Sequence, residues 1–151
     1  MRRFEQVKPE AMKYGKQTVQ MPKRATHFAC AYDFYSPISV TIKAGECVSI
    51  FTNIKAKMED DDFLLLANRS GNGMKGIVLK NTIGLIDKDY YGNPTNDGNM
   101  CFALQNNSGA DFVVNEGDRI GQGCFMKYYL TEDDNVADVV RTGGFGSTGQ
   151  K

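Results

Sequence analysis

The sequence predicts an all-β fold with little helix, built as a sandwich, jelly roll or barrel, and three observations carry that prediction. Sixteen glycines stand against four prolines, and short apolar runs alternate with turn signals along the 151 residues. Ile38-Ser39-Val40-Thr41-Ile42-Lys43 alternates with period two, the mark of a strand covered on one face. No window of a dozen residues carries a 3.6-residue period, so long helices are excluded. A chain of this length forms one domain and buries roughly 68–70% of its unfolded surface, so it needs no disulfide or metal staple.

The elements follow in chain order. Residues 9–14 are a short helical candidate, and nothing in the first 25 residues carries chemistry. The strand at 38–43 turns through Ala44-Gly45-Glu46 into a second at 47–52. A third covers 62–67, a tight turn follows at 71–74, and further strands are predicted at 76–80, 101–105, 111–114 and 123–130. Asn115-Glu116-Gly117-Asp118 repeats the turn chemistry of residues 43–46. Asp97-Gly98 predicts a two-residue hairpin turn, because both central residues of a type I′ turn take positive φ. The composition changes at Asp138, and residues 143–149 hold four glycines, one Ser, one Thr and one Phe.

Several function classes drop out on composition. Eighteen basic and 18 acidic residues give a formal net charge of zero, without the basic excess of a general nucleic-acid binder. No apolar run, such as Phe63-Leu64-Leu65-Leu66-Ala67, exceeds five residues, far short of the roughly 20 of a membrane span. Met1-Arg2-Arg3-Phe4-Glu5-Gln6 has no apolar stretch behind it, so no secretory signal is expected. Cys30, Cys47, Cys101 and Cys124 are widely spaced in apolar surroundings and are expected to be small buried hydrophobes. Unpaired cysteines without an export signal predict a cytoplasmic protein. His27 is the sole histidine; it excludes a multi-histidine metal site and is expected at the surface or at a strand start. The carboxylate runs 59–62 and 132–134 lack calcium-loop spacing and are expected to be solvated turns.

Three segments carry chemistry. In Gly143-Gly144-Phe145-Gly146-Ser147-Thr148-Gly149 the glycines let backbone N–H groups approach an anion, and Ser147 and Thr148 add donors. It is no Walker loop, since neither a Lys nor a helix follows. An aromatic at Phe145 implies a stacking partner, and Arg141 offers a bidentate phosphate contact. The second segment, Gly84-Leu85-Ile86-Asp87-Lys88-Asp89-Tyr90-Tyr91-Gly92, sets carboxylates and tyrosines at a strand end. The third, Asn68-Arg69-Ser70-Gly71, can take phosphate through N–H groups, the Ser70 hydroxyl and the Arg69 fork.

With Ala31-Tyr32-Asp33-Phe34-Tyr35-Ser36 and Glu116-Gly117-Asp118-Arg119-Ile120-Gly121-Gln122, these segments make five short motifs in order over residues 31–149. In that order the chain resembles the homotrimeric dUTP diphosphatase (dUTPase) family. The resemblance implies a β jelly roll over residues 1–140, a flexible arm over 141–151, and a trimer whose active sites are shared between subunits. It implies hydrolysis of dUTP to dUMP and pyrophosphate. Asp87 matches the carboxylate that orients and deprotonates the attacking water, a role suited to a group held at a strand end. Tyr90 matches the ring under the deoxyribose, and Asn81 the polar residue of the uracil pocket. Arg69, Ser70, Gly71 and Gln122 match phosphate-binding positions. Asp33 matches the residue that holds Mg2+ through water, and magnesium keeps several of its waters. Phe145 matches the ring that stacks on uracil, with Arg141, Gly146, Ser147 and Thr148 at the terminal phosphate.

The chain also departs from the family pattern. Asn68 stands where the second motif usually opens with Pro. Val140 holds the usual place of the fifth-motif Arg, with Arg141 one residue nearer the glycines. Residues 93–99 lengthen the hairpin after Tyr90 and offer a surface for a protein partner. Two other readings share the fold: a regulatory, protein-binding module, and dCTP deaminase. The latter needs a Glu near the base, and residues 81–92 contain none.

Overall fold

Short apolar runs separated by turns build most strands of this molecule. The computed structural model describes residues 1–15 and 19–136. In chain order the strands are β1 (Arg3–Gln6), β2 (Tyr32–Tyr35), β3 (Val40–Ile42), β4 (Cys47–Phe51), β5 (Ile54–Lys57) and β6 (Asp62–Ala67), followed by a one-turn helix α1 (Ser70–Gly73). Then come β7 (Ile77–Leu79), β8 (Gly84–Ile86), β9 (Cys101–Asn106), β10 (Phe112–Val114) and β11 (Arg119–Lys127). Single 3₁₀ turns lie at Pro9–Ala11 and Lys88–Tyr90.

Strands β2, β11, β6 and β8 form one antiparallel sheet in that order, and β4, β9 and β7 form another. Two pairs, β1 with β5 and β10 with β3, complete the fold. Phe34 on β2, Leu64 and Leu66 on β6, Ile50 on β4 and Phe102 and Leu104 on β9 are buried in one cluster. Side chains of both larger sheets therefore share a single core, which makes the nearly all-β fold jelly-roll-like. The rings of Phe34 and Phe102 meet across it at 5.4 Å.

Most predicted strands lie where the apolar runs put them, but four features differ. β11 begins at Arg119 and ends at Lys127, four residues ahead of the prediction at its start. Gly121 falls just before the predicted strand and Gly123 at its start. In the fold they lie under rings: a Cβ at Gly121 would stand 2.0 Å from Phe102 Cε1, and one at Gly123 would stand 2.9 Å from Phe34 Cε2. The strand can pass these rings only without side chains. Second, β1, β2 and β5 lie outside the predicted strands; each is only four residues long, and pairing with one another or with β11 makes them strands. Third, Asp97 and Gly98 do take positive φ, 57° and 84°, but their turn lies inside the 93–99 loop and joins no strand pair. Fourth, Asp62 belongs to no solvated turn: it is 1% exposed and bound by Arg2 Nε at 2.6 Å.

The cysteines are less buried than predicted. Cys30 is exposed and the other three are partly buried. Burial pushes the Cys101 thiol up to about 11, so it stays protonated. His27 is exposed and stands edge-on to Phe28. Among the described residues no helix is long and apolar enough to cross a membrane.

Candidate active site

The sheet order fixes where the chemistry lies. Asp33 on β2 faces Gln122 on β11 across the ladder, and Gln122 pairs in turn with Ala67 at the end of β6. The chain leaves β6 through Asn68 and Arg69 into α1, so Arg69, Ser70 and Gly71 arrive beside Asp33 and Gln122. These five predicted residues line one cavity.

Its electrostatics centre on Asp33, which is 7% exposed. Arg69 Nε donates to one carboxylate oxygen at 2.9 Å, and Arg119 Nη1 to the other at 3.3 Å. Two guanidiniums around one carboxylate leave the cavity with an excess positive charge, which suits a polyanion. Arg119 was legible only as part of the Glu116–Gln122 run; its spacing gave no reason to single it out, and its pairing with Asp33 is a tertiary fact. A Cβ at Gly71 would meet nothing within 4 Å, so packing of the chain itself does not demand glycine there.

Asn68 explains its own departure from the family pattern. Its Nδ2 donates to Ile77 O at 2.8 Å and its Oδ1 accepts from Arg69 N at 2.9 Å. Gln122 Nε2 then donates to Asn68 O at 2.8 Å. A side-chain brace thus fixes the loop that a proline would stiffen by its ring.

A second group forms on the far side of β6. β8 pairs with β6 through Leu64↔Ile86 and Leu66↔Gly84, and the chain emerges from it at Asp87. Asn81, Asp87 and Tyr90 line one small cavity with Leu66 and Cys101. Asp87 is exposed at the strand end, and its carbonyl accepts from Tyr90 N at 3.1 Å, which opens the 3₁₀ turn. Tyr90 is nearly buried, with its hydroxyl donating to Asn99 O at 2.9 Å. Cys101, read from the sequence as a small buried hydrophobe, lines this cavity from the start of β9.

The predicted site residues therefore fall into two groups, not one. Asp33, Arg69, Ser70, Gly71 and Gln122 line one cavity; Asn81, Asp87 and Tyr90 line another, with no lining residue in common. Arg141, Phe145, Gly146, Ser147 and Thr148 lie outside the described residues. The inserted residues 93–99 turn inward: Asn93, Asp97, Gly98 and Asn99 are buried, and Pro94 and Thr95 are exposed. Most of the insertion is thus unavailable to a protein partner.

Known proteins share the sequence pattern and the fold. A family model described as dUTPase matches residues 17–149. The deoxyuridine 5′-triphosphate nucleotidohydrolase of Lactococcus lactis subsp. lactis (strain IL1403) is 40% identical over 139 residues, covering 91% of this chain and 93% of that protein. The crystal structure of dUTPase from Streptococcus mutans superposes with a TM-score of 0.75 at 35% identity, covering 85% of this chain and 98% of its own. A mutant dUTPase from phage phi11 of S. aureus, whose structure coordinates a structural Mg(II) ion, shares the fold with a TM-score of 0.70 at 19% identity, over 92% of this chain and 98% of that one. Matched along nearly its whole length by the family model and by a relative at 40% identity, the chain belongs to the dUTPase family.

Proposed function

We propose that this chain hydrolyses dUTP to dUMP and pyrophosphate, at active sites shared between the subunits of a homotrimer. The observation that carries the reading is the pair of half-sites, a cationic cavity around Arg69 and Arg119 and a small carboxylate-and-tyrosine cavity around Asp87. The first suits the triphosphate, the second the base and sugar. The two cavities have no lining residue in common, so a nucleotide that uses both has to bridge two separate sites. A homotrimer resolves this by setting the base cavity of one subunit against the phosphate cavity of the next. Leu85 on the edge strand β8, 58% exposed, and Tyr129 and Leu130, 93% and 69% exposed, supply apolar surface for such contacts.

In this reading Asp87 takes a proton from a water whose oxygen attacks the α-phosphorus. The α–β bridging bond breaks and pyrophosphate leaves. Arg69, Ser70, the Gly71 N–H and Gln122 hold the phosphate chain, which fixes the angle of attack. Asn81 reaches the base, and the Tyr90 ring packs against the deoxyribose and excludes a 2′-hydroxyl.

The residues present fit a magnesium ion held mainly by substrate. Among the described residues no group of three or more His, Cys, Asp or Glu could cage a metal. One carboxylate, Asp33, stands at the phosphate cavity, and Mg2+ commonly takes one or two carboxylates plus phosphates. When bound, Mg2+ neutralises charge on the pyrophosphate leaving group, with Asp33 holding its water ligands.

Residues 141–151 form the arm in this proposal. Phe145 stacks on uracil, and Arg141, Gly146, Ser147 and Thr148 close on the terminal phosphate. A pyrophosphate-release assay against the common ribo- and deoxyribonucleoside triphosphates tests the reading. Release from dUTP alone is expected. Release from dCTP with ammonia, or none from any nucleotide, would overturn it.

A further inference from the structure

Tyr90 is the aromatic side chain in the wall of the base cavity, and it is 6% exposed. A ring that excludes a single hydroxyl has to be held to within about 0.5 Å. Its backbone is anchored by the 3₁₀ turn, but the ring can still move about two side-chain torsions. The insertion at 93–99 closes that freedom. Tyr90 Oη donates to Asn99 O at 2.9 Å and accepts from Asn96 Nδ2 at 2.8 Å.

Each partner is itself fixed. Asn96 Oδ1 accepts from Asn93 Nδ2 at 2.8 Å and from Gly98 N at 3.1 Å. Asn93 Nδ2 also donates to Tyr90 O at 2.8 Å, while its Oδ1 accepts from the Thr95 and Asn96 amides. Asn99 donates to Ala11 O at 3.0 Å and accepts from Asn53 N at 2.9 Å. Gly98 passes so close that a Cβ there would lie 2.8 Å from Tyr90 O, at a φ of 84°. A buried polar network with its members satisfied admits one arrangement, and here that arrangement terminates on the Tyr90 hydroxyl.

We propose that Asn96 is a positioning residue for the Tyr90 ring, and that the 93–99 insertion thereby sets the selectivity of the site for deoxyribose over ribose. The inference rests on the reading that Tyr90 packs against the sugar. Losing the Asn96 bond lets the ring tilt and admits the 2′-hydroxyl of UTP.

The test is kcat/KM for dUTP and UTP on the full-length wild type, Asn96→Ala, Tyr90→Phe, the double variant and Tyr90→Ala. Asn96→Ala is expected to narrow the dUTP:UTP ratio about fivefold, the worth of one buried hydrogen bond. Tyr90→Phe removes both bonds of the hydroxyl while sparing the insertion, so it narrows the ratio at least as far even if Asn96→Ala folds poorly. The double variant should match Tyr90→Phe, because Asn96 acts on the ring through the hydroxyl that this change already removes. A ratio within twofold of wild type in Asn96→Ala and Tyr90→Phe overturns the inference, whatever happens to Tm. So does additivity in the double variant. If Tyr90→Ala collapses the ratio in that case, the sugar reading stands and the positioning claim alone fails. If Tyr90→Ala leaves it intact, the sugar reading fails too.

Discussion

Asp87 owes its reach to its position: the last β8 pairing is at Ile86, and the 3₁₀ turn starts at Lys88, so the carboxylate stands at a fixed strand end facing solvent. An amide there has the same shape but cannot accept a proton from water. Asp87→Asn should therefore bind dUTP and lose roughly 10²–10⁴-fold in turnover. Turnover within threefold of wild type would remove Asp87 from the reaction. Gly121 is a residue of a different kind, needed by packing alone. With a Cβ placed 2.0 Å from the Phe102 ring, Gly121→Ala has to push that ring or the bulged strand aside. Overpacking of this kind costs about 1–3 kcal/mol, which thermal unfolding will report as a lowered Tm.

At the level of elements, the 93–99 loop is tied down by charge as well as by amides. Asp97 Oδ2 accepts from Lys55 Nζ at 2.7 Å and from Lys8 N at 2.8 Å, and both charged side chains are largely buried. Burial pushes the Asp97 carboxyl up, but the hydrogen bonds from Lys55 and Lys8 outweigh it and hold the group below its ordinary value of 3.8. A lowered folded value stabilises the fold above the unfolded value and fades as pH falls through the folded one. The Tm gap between wild type and Asp97→Asn should thus be full above about pH 4 and close below it. A gap that widens on acidification would contradict the assignment of charge.

The same loop marks the limit of what the sequence discloses. Short apolar runs at 62–67 and 101–105 located β6 and β9, whose alternate residues are buried in the core. The turn at 97–98 was legible from its dipeptide, yet its burial was not, since the partners Lys8, Ala11, Asn53 and Lys55 are remote in the chain. The candidate site residues stand in the sequence as five ordered motifs. That they split between two cavities was not legible there, because motif order says nothing about which side of β6 each one occupies.

For the whole molecule, the split has one consequence that a monomer cannot share. If each site takes Asp87 from one subunit and Arg69 from its neighbour, two differently crippled chains can repair each other. The most direct measurement is dUTP hydrolysis by Asp87→Asn and Arg69→Ala chains, each inactive alone, unfolded and refolded together in equal amounts, with subunit exchange verified by mass. Random assortment leaves about a quarter of shared sites with both residues intact, so activity should recover to about that fraction of wild type. No recovery in verified mixed trimers, or a monomeric mass in solution, would contradict the account.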